Sequence, residues 1–327
     1  MIESETRMTQ HSGPTSERTS TAPGRVSAPG AGTLAVLALA WLAAALSSAR
    51  QSIGLAPQVD PLVLTRAALA LPAVIAAALL AGAATGLAAF RLAARRRPTV
   101  ARTRGSLALT TVAGAVVGGV AAATPVLAYA DLPYLAAVCG ATGAAGVLGG
   151  ALAGLLPRPV MGAAVTGALA VFLVGFAVGL FDGDLLDLFS GGQTPESLAT
   201  ANAWVRLTTS LLAGVAAGVA GYAYLRRASV GQWPTYLLAG IAPGALLLLA
   251  ELLTWVGGAG LFQLIGDGSP HDAAVLTFLN AARINRALIV LFAGGMIAII
   301  LFGRTLKPRE AAGAEPEGES ARDAPEH

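Results

Sequence analysis

The sequence predicts an all-α integral membrane protein with eight transmembrane helices, built as a tandem parallel repeat of four helices and four. Three observations carry this reading. The first is composition: of 327 residues, 55% are hydrophobic and 12% charged, and the mean hydropathy of +0.68 lies outside the range of ordinary soluble domains. The second is length, since eight apolar stretches meet or approach the ~20 residues that a helix rising about 1.5 Å per residue needs to cross about 30 Å of hydrocarbon. The third is repetition: the string LLAGAATGLAAF at 79–90 returns as LLAGVAAGVAGY at 211–222, with seven of twelve positions identical.

Residues 1–31 are polar, rich in Ser, Thr, Pro and Gly, and too poor in apolar side chains to build a core, so a disordered cytoplasmic tail is expected there. The first helix is placed at 32–49. Residues 33–46, followed by Ser47 and Ala49, also have the pattern of a signal-peptide core and cleavage site, but the leader is long for the charged region that precedes one. Helices at 68–90, 106–130 and 133–156 complete a first membrane repeat over 32–156. Helices at 160–181, 203–225, 235–257 and 286–303 form a second over 160–303, and residues 304–327 form a second disordered cytoplasmic tail. None of these stretches suits a lipid-exposed strand or loop, because unpaired backbone groups in hydrocarbon cost too much.

The surroundings of the repeated string strengthen the case for duplication. Each copy is the second helix of its set, follows a long external loop and ends in an arginine cluster, Arg95–Arg97 in one and Arg226 with Arg227 in the other. In the next helices VAGAVVGG (112–119) aligns with LAGIAPGA (238–245), which sets Gly114 and Gly118 opposite Gly240 and Gly244, and Pro125 opposite Glu251. Four is even, so both sets enter the membrane in the same direction and a pseudo-twofold axis along the membrane normal is expected. Gly82 with Gly86, Gly114 with Gly118, Gly214 with Gly218 and Gly240 with Gly244 each present small residues at i, i+4, as do Gly146, Gly150 and Gly154, and Gly175 with Gly179. That spacing makes a flat face on which helix backbones approach closely. Codon bias accounts for the abundance of Gly and Ala, but not for matching spacing in equivalent helices.

The basic residues set the orientation. With the N-terminus inside, the cytoplasmic side receives Arg91, Arg95, Arg96, Arg97, Arg102, Arg104, Arg158, Arg226, Arg227, Arg304 and Lys307 besides those of the tails. Outside are Arg50, Arg66, Arg206, Arg283 and Arg286, together with the acids between helices, such as Asp60, Asp131, Asp182, Asp184, Asp187 and Glu196. A net charge of +3 is therefore explained by topology, and no nucleic-acid partner is expected. Arg95, Arg96 and Arg97 are expected to hold anionic lipid headgroups as well as to anchor topology. Tyr129, Tyr134, Trp204 and Trp255 mark an outer interfacial belt, and Tyr222, Tyr224, Trp233 and Tyr236 an inner one. Trp41, in mid-span, is expected to pack inside the bundle. Lysine is almost wholly replaced by arginine in this Ala- and Gly-rich chain, which points to a GC-rich bacterial genome and a bacterial cytoplasmic membrane.

Chemistry-bearing residues are sparse. The single cysteine, Cys139, excludes an intramolecular disulfide, and His11, His271 and His327 are too scattered for a metal cluster, so neither metal nor cofactor is expected. FDGDLLDLFSGG (181–192) only faintly resembles a calcium loop and reads as a solvated helix exit followed by a turn. Neither a phosphate loop, nor a nucleophile elbow, nor a paired set of catalytic carboxylates is present, so an enzyme is not expected. What remains is Glu251, six residues before the expected end of its helix, with Pro243 two turns earlier on the same helix. A carboxylate at that depth is a functional candidate, and a proline there can open a hinge. The competing reading is that Glu251 merely snorkels beneath Trp255. Ser269, Pro270 and Asp272 signal a helix start, read as a short external helix running into the last span. Its Arg286, or failing that Arg283, is the expected partner of Glu251. Two function classes follow. One is a permease-like protein for a small solute or lipid-linked molecule, with a hydrated path lined by Glu251, Thr110, Thr111, Thr124, Thr208, Thr209 and Ser210. The other is a non-catalytic membrane subunit or scaffold with a dry centre and a membrane-protein partner.

Overall fold

In the computed structural model the described residues are 30–54, 61–96, 105–128, 135–190, 194–230, 232–268 and 270–305. Residues 1–29 and 306–327 of the expected tails, Tyr129, Tyr134, Asp60, Asp131, Ser269 and the basic run 97–104 lie outside them. Among the described residues the secondary structure is nine helices and no strand: α1 (Ala31–Gly54), α2 (Pro61–Arg96), α3 (Gly105–Ala128), α4 (Leu135–Leu155), α5 (Arg158–Gly179), α6 (Asp182–Ser190), α7 (Pro195–Arg227), α8 (Trp233–Gly268) and α9 (Pro270–Gly303). Eight of them, all but α6, are long and apolar enough to cross a membrane.

Several expected boundaries move. α2, α7 and α8 run well past their apolar segments, because backbone hydrogen bonding continues after the hydropathy falls. The short helix expected to run into the last span is the first part of one continuous helix, α9, starting at Pro270. Residues 182–190, read as a solvated exit, form α6, with Asp182 and Asp184 in its first turn, where carboxylates meet the positive end of the helix dipole. Local chemistry explains the starts and stops. Thr194 caps α7 by accepting from the Ser197 amide at 3.2 Å, and Pro195 and Glu196 occupy its first turn. At the other end Ser229 adopts φ 57, while the amides of Ser229 and Val230 return to the carbonyls of Arg226 and Leu225. This is the left-handed closure usually given to glycine.

The helices fall into two sets, α1–α4 and α5 with α7–α9. In each set the first helix packs on the second, the second on the third and fourth, and the third on the fourth. Glycine makes the closest of these approaches. In the first set the Gly146 carbonyl faces both Gly82 and Gly114, while Gly86 comes against Gly150 and Ala153. In the second set a Cβ on Gly218 or Gly240 would fall 2.6 or 2.5 Å from the Gly294 carbonyl oxygen, one on Gly244 2.5 Å from Leu291 Cα, and one on Gly214 2.7 Å from Ala293 Cβ. Gly82 opens its pair whereas Gly218 closes its own, so α2 and α7 enter their junctions one helical turn apart, while Gly114 and Gly240 both open theirs. Gly175 and Gly179 make no such face: Gly179 has open space, and Gly175 lies beside an arginine described below.

Contacts between the sets are not reciprocal. α8 packs against α2 and α4, and α5 against α2 and α1, but among the described residues α3 has no comparable packing on α7 or α9. An internal twofold requires every contact to occur twice with the partners exchanged. The expected pseudo-twofold axis is thus not observed, and α2 ends up at the centre with Ile75, Leu79 and Leu80 buried.

The aromatic residues divide. Trp204, Trp233 and Trp255 are exposed on the outer surface of the bundle. Tyr222, Tyr224 and Tyr236, expected at an inner interfacial belt, are buried instead, with the Tyr236 hydroxyl donating to the Val230 carbonyl at 2.8 Å and Arg91 donating to the Tyr224 hydroxyl at 3.2 Å. Arg158 stands 3.5 Å over the Phe90 ring. These contacts bring the ends of α2 and α7 and the start of α5 together on one side of the bundle, and Arg95 and Arg96 are exposed there; Arg97 lies outside the described residues.

Candidate binding cavity between the helix sets

At the opposite end of α2 the two sets part around a cavity of about 540 Å³, with walls from α1, α2, α5, α8 and α9. One wall is aromatic. Trp41 of α1 stacks on Phe172 of α5 with ring centroids 5.2 Å apart and meets Phe176 edge-on at 6.5 Å. Trp41 thus packs inside the bundle, one side against the cavity. The facing wall is Leu69, Pro72, Ala73 and Ala76 of α2 with Leu247 of α8. Pro72 cannot donate a backbone hydrogen bond, so it withdraws the amide that would otherwise bond the Ala68 carbonyl one turn earlier.

The polar end of the cavity carries three charges. Glu251 of α8 reaches Arg283 of α9, with Oε2 3.3 Å from Nε, and both side chains are mostly buried. Arg283 also donates through Nη2 to the Asn280 side chain one turn back on α9. Arg286 follows three residues on and lines the same cavity. Glu251 therefore turns inward to an arginine instead of snorkelling, and the partner is Arg283, with the first-expected Arg286 as neighbour. A spacing of three places both arginines on one side of α9, and Arg283, nearer the start of α9, is the one that meets Glu251.

Arg286 is seated by a glycine. A Cβ at Gly175 would lie 2.9 Å from its Nη2, so α5 gives way to the guanidinium. The Nε atoms of Arg283 and Arg286 are both buried without a hydrogen-bond partner; the 3.3 Å approach of Arg283 Nε to Glu251 is an ion pair lacking hydrogen-bond geometry. One carboxylate thus faces two guanidiniums. No protein-family model, curated protein or solved structure matches this chain.

The other expected site residues lie elsewhere. Pro243 packs against Gly167 of α5 and does not line the cavity. None of the hydroxyl residues read as a hydrated path lines it either. Thr110, Thr124, Thr209 and Ser210 all donate to carbonyls three or four residues back in their own helices, which satisfies them without water. Among the described residues no group of His, Cys, Asp and Glu is placed to hold a metal ion. Sequence reasoning missed Pro72, Phe172 and Phe176, and read Gly175 as part of a packing face with Gly179. Only Pro72 carried a signal, as a proline inside an apolar run; the aromatics looked like ordinary span residues.

Proposed function

We propose that this chain is a multi-pass protein of a bacterial cytoplasmic membrane, with both termini cytoplasmic. On this reading it is permease-like and non-enzymatic, and it admits a small solute or a lipid-linked molecule to the cavity between two duplicated four-helix sets. One observation carries the reading: a cavity of about 540 Å³ inside an apolar helical bundle ends in Glu251, Arg283 and Arg286. That volume is typical of small-molecule sites, and charges held within apolar spans are costly enough to be kept mainly where a polar group must pass or bind. The duplication is supported by the shared helix-pair pattern and by glycines meeting in threes in both sets. Membrane insertion is supported by the exposed outer ridge of Val112, Val116 and Val120 on α3 and by Phe292 and Met296 on α9, a surface suited to lipid tails.

The second reading, a non-catalytic membrane subunit or scaffold, is favoured by the dry packing around Thr110 and Gly146. Single cysteines at Ala44, Ser48, Ala73 and Leu247 in a Cys139→Ser background separate the two. A membrane-impermeant maleimide applied from outside should label these four and spare controls at Ala164 and Ala217. If all four stay unlabelled, the cavity is sealed and the scaffold reading replaces the permease-like one.

A further inference from the structure

The charges in the cavity are unbalanced, and the imbalance names a ligand class. Among the described residues Glu251 is the one acid in the lining, and it faces Arg283 at 3.3 Å. Arg283 has a second partner in Asn280, whereas the buried Nε of Arg286 has no hydrogen-bond partner. A guanidinium withdrawn from water is stable only when its charge and its donors are met, and removing one partner of such a group is among the costlier changes a protein can undergo. The planar guanidinium fork matches a carboxylate or a phosphate, with charge-assisted bonds about twice as strong as neutral ones. Gly175 leaves room for the fork that any larger residue would take.

The rest of the cavity has the opposite character. Trp41, Phe172, Phe176, Leu69, Pro72 and Leu247 give an apolar lining next to the charged end. A free inorganic anion would use the first feature and waste the second. Resting on the permease-like reading above, we propose that the cavity binds an anionic amphiphile: its carboxylate or phosphate sits on Arg286, and its hydrocarbon lies along Trp41, Phe172 and Phe176. The Glu251–Arg283 pair then serves as a fixed polar wall that rejects a cationic head.

The test uses the full chain in nanodiscs of zwitterionic phosphatidylcholine and follows thermal unfolding against four probes: dodecyl phosphate, inorganic phosphate, dodecanol and dodecyltrimethylammonium. Dodecyl phosphate should raise the unfolding temperature saturably, and the other three should not. Arg286→Gln should weaken the apparent affinity for dodecyl phosphate about tenfold, the loss expected for one charge-assisted contact. Because Arg286→Gln can also disturb folding, Gly175→Ala provides a second variant: its methyl displaces the Arg286 guanidinium without removing any charge, and it should weaken the same probe by a smaller factor. Equal binding of dodecanol or of the cation overturns the proposal, as does unchanged affinity in both variants. Equal binding of inorganic phosphate retains the anion but removes the amphiphile, and so overturns it as well. The maleimide test separates this failure from that of the underlying reading: cavity cysteines that label while no probe binds leave a permease-like cavity with a different ligand.

Discussion

Leu79 and Leu80 are 1% and 2% exposed, whereas Leu211 and Leu212, at the same places in the repeated string, are 46% and 50% exposed. The residues are identical and so are the Ala and Gly that follow them; the difference lies in what stands opposite. α2 is packed by its own set and, in addition, by α5 and α8 of the other set. α7 has its own set and the short α6. What the string encodes is the glycine side of the helix, Gly82 and Gly86 against α4 and Gly214 and Gly218 against α9. The leucine side is left open, because lipid tails are as apolar as leucine and a membrane helix gains little from choosing between protein and lipid there.

The largest effect should come from the side the two copies share. A Cβ at Gly146 would fall 2.5 Å from Gly118 Cα, and one at Gly294 2.5 Å from the Gly240 carbonyl oxygen. Both obstacles are backbone, which cannot rotate away. Gly146→Leu and Gly294→Leu should each cost more than the ~3 kcal/mol of ordinary overpacking, a large part of the about 5–15 kcal/mol that stabilises a typical protein. Loss of the monodisperse detergent-solubilised species on size-exclusion chromatography is the readout. A variant that stays monodisperse with unchanged unfolding temperature would show that the three helices do not converge there.

The next effect should separate the copies. Leu79→Ala opens a cavity in the centre of the bundle and should destabilise by about 2–4 kcal/mol. Leu211→Ala, whose volume lipid or detergent refills, should stay within about 0.5 kcal/mol. Equal losses in thermal unfolding would mean that α7 is covered as α2 is, and that the helix sets pack reciprocally after all. Charge gives a third, smaller contrast. Glu251→Gln leaves Arg283 facing a neutral group and should cost about 2 kcal/mol, below the 3–5 of a fully buried pair because both side chains keep some exposure. The double variant Glu251→Gln with Arg283→Gln should recover about half of that loss, and a cycle with no coupling would dissolve the pair.

Much of this architecture was legible in sequence because hydropathy, helix length and glycine spacing act locally. The helix set, the inward Trp41 and the Glu251–arginine pairing follow from such signals. What stayed hidden depends on register between helices. Aligning Gly114 with Gly240 sets Pro125 opposite Glu251, and both glycines meet the central glycine of their set, Gly146 and Gly294; the offset of one turn lies between α2 and α7, where the matching strings conceal it. The same limit explains why Arg283, one turn from the first-expected Arg286, makes the ion pair: a helix rotates about 100° per residue, so small uncertainties in axial position change which side chain arrives. Buried tyrosines were hidden for another reason. Tyr222, Tyr224 and Tyr236 have the composition of an interfacial belt, and only the Arg91 and Val230 contacts show that the Tyr224 and Tyr236 hydroxyls are satisfied inside.

The smallest effect contrasts neighbours within one dipeptide. Gly118 and Gly119 are adjacent on α3; a Cβ on Gly118 would fall 2.5 Å from the Gly143 carbonyl oxygen, whereas one on Gly119 meets nothing within 4 Å. Glycine in a helix interior sacrifices about 0.5–1 kcal/mol of backbone entropy relative to alanine. Where space is open, that cost is recovered on substitution, so Gly119→Ala should leave stability unchanged or raise it by up to about 1 kcal/mol. Gly118→Ala should lower stability despite the same gain in propensity, because α4 must move to admit the methyl. A reversed order in thermal unfolding would rotate α3 by about 100° and take Val112, Val116 and Val120 off the outer surface with it. The pair therefore tests the orientation of the helix that the first set leaves most exposed, with a change of one carbon atom.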